Sequence, residues 1–219
     1  VSVFCDKAHG GYHSYKTAYQ QYTLTALKTD IEKLKLKGIQ VVDDGSIENN
    51  GTDEGWFSAE IKVLCNKKDM SNLKKICTFL KSKGAYVNKS CGLHVHLDVR
   101  GYDDEKHMKV AQNLEASIKY MSKIIDNSRL DNDYCEPKMC FDDRYVFVNA
   151  SNLNTIEVRA HHGTIDYDTI YNWCMFLDRI KKAKHVKNYT FKAFKNSVKL
   201  PKSITTWDNK QKRKGGEFI

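Results

Sequence analysis

The sequence predicts an α+β fold with a mostly antiparallel sheet and helices packed on one face of it. Three observations predict it. Short segments alternate apolar and polar residues as strands do. Longer segments repeat apolar residues at helical spacing. Hairpin-like strand pairs are interleaved with three long helices, so only some strand–helix–strand units can be parallel crossovers. The 219 residues are 41% hydrophobic, enough to bury a core.

In chain order, residues 1–6 read as an extended segment and 7–15, with Gly10 and Gly11, as a loop. Over 15–37 the positions Ala18, Tyr22, Leu27, Ile31 and Leu34 approximate a helical stripe, and Gly38 sits where a helix C′ residue is expected. Residues 39–42 form a short strand that runs into the turn Asp43-Asp44-Gly45-Ser46; 48–55 are a polar loop. Residues 56–64 alternate, with Phe57, Ala59, Ile61 and Val63 on one face and Ser58, Glu60 and Lys62 on the other. Asp69 caps a helix with Met70, Leu73, Ile76, Cys77 and Leu80 inward, closed by Gly84. Cys91-Gly92-Leu93-His94-Val95-His96-Leu97-Asp98 is a strand with strict alternation. The longest helix starts at Asp103 or Asp104, with Met108, Ala111, Leu114, Ile118, Met121 and Ile125 as its stripe, and ends near Ser128. Residues 129–143, with Pro137, read as irregular; 145–151 and 155–161 are strands joined by Asn152-Leu153-Asn154. A final helix, capped by Asp166 or Asp168, turns Ile170, Trp173, Leu177 and Ile180 inward.

Two domains are expected: a body over 1–185 and a basic C-terminal tail over 186–219. Net charge is +9, but residues 181–219 hold twelve Lys/Arg against Asp208 and Glu217, leaving −1 for the first 180. A polyanion-binding surface across the whole body is therefore not indicated. A Lys-rich tail is ordinarily solvated; polyanion or protein binding by it is the functional alternative. Seven irregularly spaced Cys with no C-x-x-C pair read as reduced thiols and a cytoplasmic location. No run has the roughly 18 apolar residues of a membrane helix, and membrane partners are not expected. Nucleotide-binding glycine loops and the G-x-S-x-G elbow are missing from the sequence.

The chemistry-bearing residues sit on the polar faces of strands. His94, His96 and Asp98 share one face, where Ser, Thr or Lys would be usual. In Thr155-Ile156-Glu157-Val158-Arg159-Ala160-His161, the residues Glu157, Arg159 and His161 share another, successive ones about 6.8 Å apart along the strand. Each taken alone also reads as a solvated surface pair. Together with Glu60 they would make a polar, metal-capable floor if the strands share a sheet. Carboxylates favour magnesium or manganese, and imidazole broadens the choice toward zinc. Asp44 and Ser46 add a carboxylate and a hydroxyl on a turn. Asn149 reads as an amide fixing the sheet. Arg129 and Arg144 flank the irregular segment and can bind carboxylate or phosphate.

In order and spacing over about residues 41–168, these motifs resemble the amidoligase family, a glutamine synthetase-like group of carboxylate–amine ligases. The residues that carry the resemblance are Asp44-Gly45-Ser46-Ile47, Ala59-Glu60-Ile61, the Cys91–Asp98 strand, Asn149, Thr155–Arg159 and Gly163-Thr164; the stretch from Arg129 to Tyr134-Cys135 is similar as well. The resemblance implies a curved, glutamine synthetase-like sheet whose concave face binds ATP and Mg²⁺ or Mn²⁺. It implies amide formation through an acyl phosphate, on a small-molecule or peptide carboxylate with an amine co-substrate. By motif, Glu60, His94 and Glu157 would be metal ligands, and His96 would lie near the nucleotide. Arg159 would bind phosphate or the substrate carboxylate as a catalytic and cofactor-binding residue. Asp44 would accept a proton on the amine side beside Ser46; Ser46, Asn149 and Arg129 are the expected substrate contacts.

One departure stands out. Family members usually open with a Gly-x-Glu-x-Glu strand holding metal, and residues 1–6 offer only Asp6. The expectation is that the true beginning lies upstream of Val1; the alternative is a catalytically impaired binding protein that recruits a partner through its basic tail. A zinc hydrolase built on His94 and His96 ranks last, for want of a third ligand.

Overall fold

The computed structural model describes residues 2–6, 23–44, 47, 57–66, 70–130, 135–188, 190–200, 204 and 206. The chain forms two units, one of residues 1–92 with 163–167 and one of residues 93–162 with 168–219. The fold is α+β and mostly antiparallel, with five α-helices among the described residues. No helix among them is long and apolar enough to cross a membrane.

The first unit holds three strands in the order β2–β3–β1, with β1 Ser2–Asp6, β2 Ile39–Val42 and β3 Ser58–Val63, both pairings antiparallel. Alternation in β3 buries Ala59, Ile61 and Val63 and leaves Lys62 exposed, as its sequence predicts. Helix α1 (Leu24–Lys33) is shorter than its stripe suggests. Thr23 caps it, its hydroxyl accepting from Ala26 N; residues 15–22 lie outside those described. It ends before Gly38 because Lys35 already adopts a left-handed φ of 51°. Gly38, at φ 74°, instead permits a close approach. A Cβ there would lie 3.0 Å from Leu64 Cβ, while Leu64 N donates to Gly38 O at 2.7 Å. Helix α2 (Met70–Ser82) buries Leu73, Ile76, Cys77 and Leu80, four of the five predicted inward residues, while Met70 in its first turn is only half-buried; Gly84 follows at φ 74°, and the proposed cap, Asp69, lies outside the described residues.

Strand β4 (Gly92–Asp98) runs into the second unit, which continues with α3 (Asp104–Met121), β5 (Glu136–Cys140), β6 (Val146–Asn149), β7 (Thr155–His162), α4 (Tyr167–Lys182) and α5 (Phe191–Val198). Its strand order is β4–β7–β6–β5. Strands β6 and β7 pair antiparallel. Gly163 N donates to Cys91 O beyond one end of the β4–β7 pair and Val99 N to Asn154 O beyond the other, so these strands also run oppositely. Gly163 is required there, since a Cβ would meet Cys91 Cβ at 2.4 Å.

Further features differ from the sequence reading, among them the end of α3, which falls at Met121 and not near Ser128. Part of 129–143 is the strand β5, parallel to β6. Pro137 breaks helical and hydrogen-bonding patterns but is tolerated on an edge strand, which β5 is. The buried face of α3 is also rotated: His107, Val110, Ala111, Asn113, Leu114, Ser117, Tyr120 and Met121 are buried, whereas Met108 is 41% exposed. Polar residues enter this face because Asn113 bonds to the chain after α4, with its amide donating to Ala183 O (2.8 Å) and its carbonyl accepting from Val186 N (3.0 Å). Finally, α4 is not the last helix. Residues 191–198 form α5, capped by Thr190, and its Phe194 stacks on Tyr120 of α3 at 4.2 Å between ring centroids.

Candidate active site

The two strands whose alternation set histidine and charge apart from the core are neighbours in the second unit. In β7, Ile156, Val158 and Ala160 are fully buried while Thr155, Glu157 and Arg159 are half-buried. In β4, Leu93, Val95 and Leu97 are buried with the core, and His94 is also buried, at 7% exposure. The alternate positions of both strands therefore face one another across the pair.

Glu157 is the centre of the resulting cluster. Its Oε1 lies 3.0 Å from His94 Nδ1, 3.1 Å from Arg159 Nη1 and 3.6 Å from His96 Nε2. Its Oε2 accepts weakly from Asn149 Nδ2 at 3.4 Å, the residue directly opposite it on β6. Asn149 is held in turn by Ser151, whose N and Oγ donate to Asn149 Oδ1. His96, the more open imidazole, touches Thr155 Oγ1 through Nδ1 at 3.4 Å. Thr155 is thus the member that the sequence reading overlooked, although it stands two residues before Glu157 on the same face.

Electrostatics divide the cluster into charged and neutral groups. Burial tends to raise the Glu157 carboxyl, but the hydrogen bond from His94 and the charges of His94, Arg159 and His96 outweigh it and hold the group at about 2. Burial dominates at His94 and lowers it to about 4, against the pull of Glu157. At neutral pH Glu157 is ionised and His94 is neutral. A carboxylate can only accept, so the His94 proton sits on Nδ1 and Nε2 carries the lone pair. Arg159 Nη1, 3.3 Å from the same Nδ1, then directs its hydrogen to Glu157.

Other expected members lie elsewhere. Arg129 is buried at 3% exposure; its Nη2 donates to the Arg159 main-chain O at 2.9 Å, and Cys135 Sγ contacts that same oxygen at 3.2 Å. It therefore holds the strand that carries Arg159. His161 is not on an open polar face: it is 1% exposed, lies against Trp173 (4.9 Å) and donates from Nδ1 to His162 O at 2.8 Å. Asp98 is engaged by Arg100, whose guanidinium holds its carboxyl well below the usual carboxylate range. Glu60 belongs to the first unit, with Lys62 Nζ at 3.3 Å. Asp44 is also in the first unit, its main-chain O accepting from Ser58 Oγ at 3.0 Å. Ser46 lies outside the described residues.

Among the described residues no group of three His, Cys, Asp or Glu side chains is arranged to cage a cation. One ionised carboxylate beside a neutral imidazole does fit a cation carried by a polyphosphate, because magnesium ordinarily takes one or two carboxylates together with phosphate oxygens and water.

Fold and cluster together define an α+β protein with a carboxylate–imidazole–guanidinium centre on paired strands. The sequence model of the family described as "Putative amidoligase enzyme" matches residues 6–140, well over half of the chain. The chain belongs to this amidoligase family, whose description names ligase chemistry. The match takes in Asp44, Ser46, Glu60, His94, His96 and Arg129 and stops short of Asn149, Glu157 and Arg159. No curated protein and no solved structure matches the chain.

Proposed function

We propose that this protein is an ATP-dependent carboxylate–amine ligase that joins an amino-acid or peptide carboxylate to an amine through an acyl phosphate. The observation that carries the reading is the gathering of His94, His96 and Arg159 around one ionised oxygen of Glu157. Phosphoryl transfer to a carboxylate brings like charges together, and a fixed guanidinium lowers that repulsion. Arg159 is positioned for this by Glu157 in front and by Arg129 on its main-chain oxygen behind. Glu157 and His94 Nε2 are the donors offered to Mg²⁺ or Mn²⁺, whose chemistry when bound is to neutralise the polyphosphate. His96, more exposed, is assigned to the nucleotide side. Asn149 orients Glu157, and through it the substrate carboxylate. Asp44 and Ser46 are assigned to the amine, which must lose a proton before it can attack. A glutamine synthetase-like curvature of the strands belongs to the same proposal, as does Glu60 as a further ligand. A cytoplasmic location is supported by the free thiols of Cys65, Cys77, Cys91, Cys135, Cys140 and Cys174.

Calorimetric titration with a non-hydrolysable ATP analogue and magnesium tests the reading. Binding is expected for the wild type and strong weakening for Glu157→Ala. No binding to the full-length protein, or a Glu157→Ala variant indistinguishable from wild type, overturns it. A second reading, a binding protein that recruits its partner through the basic residues 186–219, is favoured by the +10 balance of residues 181–219. Partner binding that survives deletion of 187–219 excludes that reading.

A further inference from the structure

In the second unit, away from the Glu157 cluster in sequence, a cavity of about 650 Å³ opens between α3, the chain following α4, and α5. Lys109, Lys184, Lys187, Lys192 and His185 line it, with Thr190, Asn196 and Ser197 as neutral polar groups. None of the described lining residues is Asp or Glu, and none of these four lysines is in an ion pair with a described acid. Like charges collected on one concave surface repel, so an anion seated among them would be favoured. A neighbouring hollow of about 90 Å³ continues the pattern with Lys119 and Lys123, and none of its described lining residues is an acid.

The walls are fixed. Asn113 holds the chain after α4 from both sides, at Ala183 O and Val186 N. Lys187 N donates to Ser197 Oγ at 3.1 Å, tying that chain to α5. Val186, Phe194 and Val198 are buried beneath, with Phe194 stacked on Tyr120. The lysine stems therefore rise from anchored backbone.

We propose that this cavity is a binding site for a compact oligophosphate of three or more phosphate groups. Its volume lies in the range of small-ligand sites. Lysine ammonium groups bind phosphate as point charges, and none of the described lining residues is Phe, Tyr or Trp. No residue of the Glu157 cluster is among the described lining residues, and the proposal does not depend on the ligase reading.

The probe is tripolyphosphate, titrated calorimetrically into the full chain. Binding at one site is expected, tighter than that of sulfate and weakening steeply with added salt. Lys187→Glu/Lys192→Glu should lose at least about tenfold in affinity. Lys187→Ala/Lys192→Ala should lose less in the same direction, and Lys28→Glu on exposed α1 should lose nothing. The proposal is overturned if sulfate binds as well as tripolyphosphate, or if the double variants bind as wild type. It is also overturned if affinity is lost in Arg159→Ala and kept in the lysine variants, which would put the anion at the Glu157 cluster. Tighter binding of duplex DNA through the same lysines would replace the oligophosphate by nucleic acid. Results with the lysine variants leave the proposed ATP-analogue binding by the Glu157 cluster untouched, so the two proposals fail separately.

Discussion

At the scale of single residues, Glu157 is the group on which its neighbours depend. Replacing it with Gln keeps the shape but removes the charge that Arg159 and His94 share. Glu157→Gln should cost about 2 kcal/mol of stability, since a half-buried guanidinium loses its counter-ion. The variant should also lower the His94 titration, because the Glu157 hydrogen bond and charge are what raise it against burial. In proton NMR the His94 ring should titrate near 4 in the wild type and lower in Glu157→Gln. A midpoint at the value of a solvated imidazole in either protein would contradict the buried, neutral assignment.

At the scale of elements, the close approaches and cross-links between strands and helices should be sensitive to small changes. Gly163→Ala places a methyl 2.4 Å from Cys91 Cβ and should cost about 1–3 kcal/mol in urea unfolding. Cys91→Ala should not rescue it, because the clash is with Cβ and not with sulfur. Asn113→Ala leaves the buried Val186 N–H without its acceptor and should cost about 1–3 kcal/mol. Hydrogen exchange should then quicken at Val186 and through α5, with α2 unaffected. Strands and helices were largely legible in the sequence where one period ran without interruption. The buried set of α2 and the apolar inward positions of β3, β4 and β7 follow the hydrophobic pattern directly, whereas the burial of Ser58, His94 and His161 does not. The α3 face did not, because Asn113 and Ser117 are buried for their hydrogen bonds, which hydrophobicity does not register. Strand β5 was hidden by Pro137, whose meaning depends on whether a strand has one neighbour or two.

At the scale of the whole molecule, acid should destabilise the fold in two windows. His94 and His162 are both lowered from 6.5 to about 4, chiefly by burial. The unfolded chain therefore binds protons between about 6.5 and 4 that the folded chain does not, and stability falls as pH drops through that range. The loss is about 3 kcal/mol for each such group. Glu157, lowered from 4.5 to about 2, adds a further loss as pH falls from about 4.5 toward 2. Urea midpoints measured at pH 7 and pH 4.5 should differ clearly, with the lower at pH 4.5. A midpoint constant over that interval would refute the neutral, buried histidines.

The sequence alone determined which residues could share a face. Period-two alternation is a local property of the backbone, so His94 with His96, and Glu157 with Arg159, were paired before any contact was known. It also determined the family motifs and the concentration of basic charge after residue 180. Only the tertiary structure decided which faces meet. It placed Glu157 against His94 and Asn149, turned Arg129 onto the Arg159 main chain, buried His161 beside Trp173, and gathered four lysines from α3, α5 and the chain between α4 and α5 around one cavity. The contacts of Glu157 with His94 and of Arg129 with Arg159 join residues far apart in the chain. They depend on strand order and on buried hydrogen bonds, and neither leaves a local pattern to read.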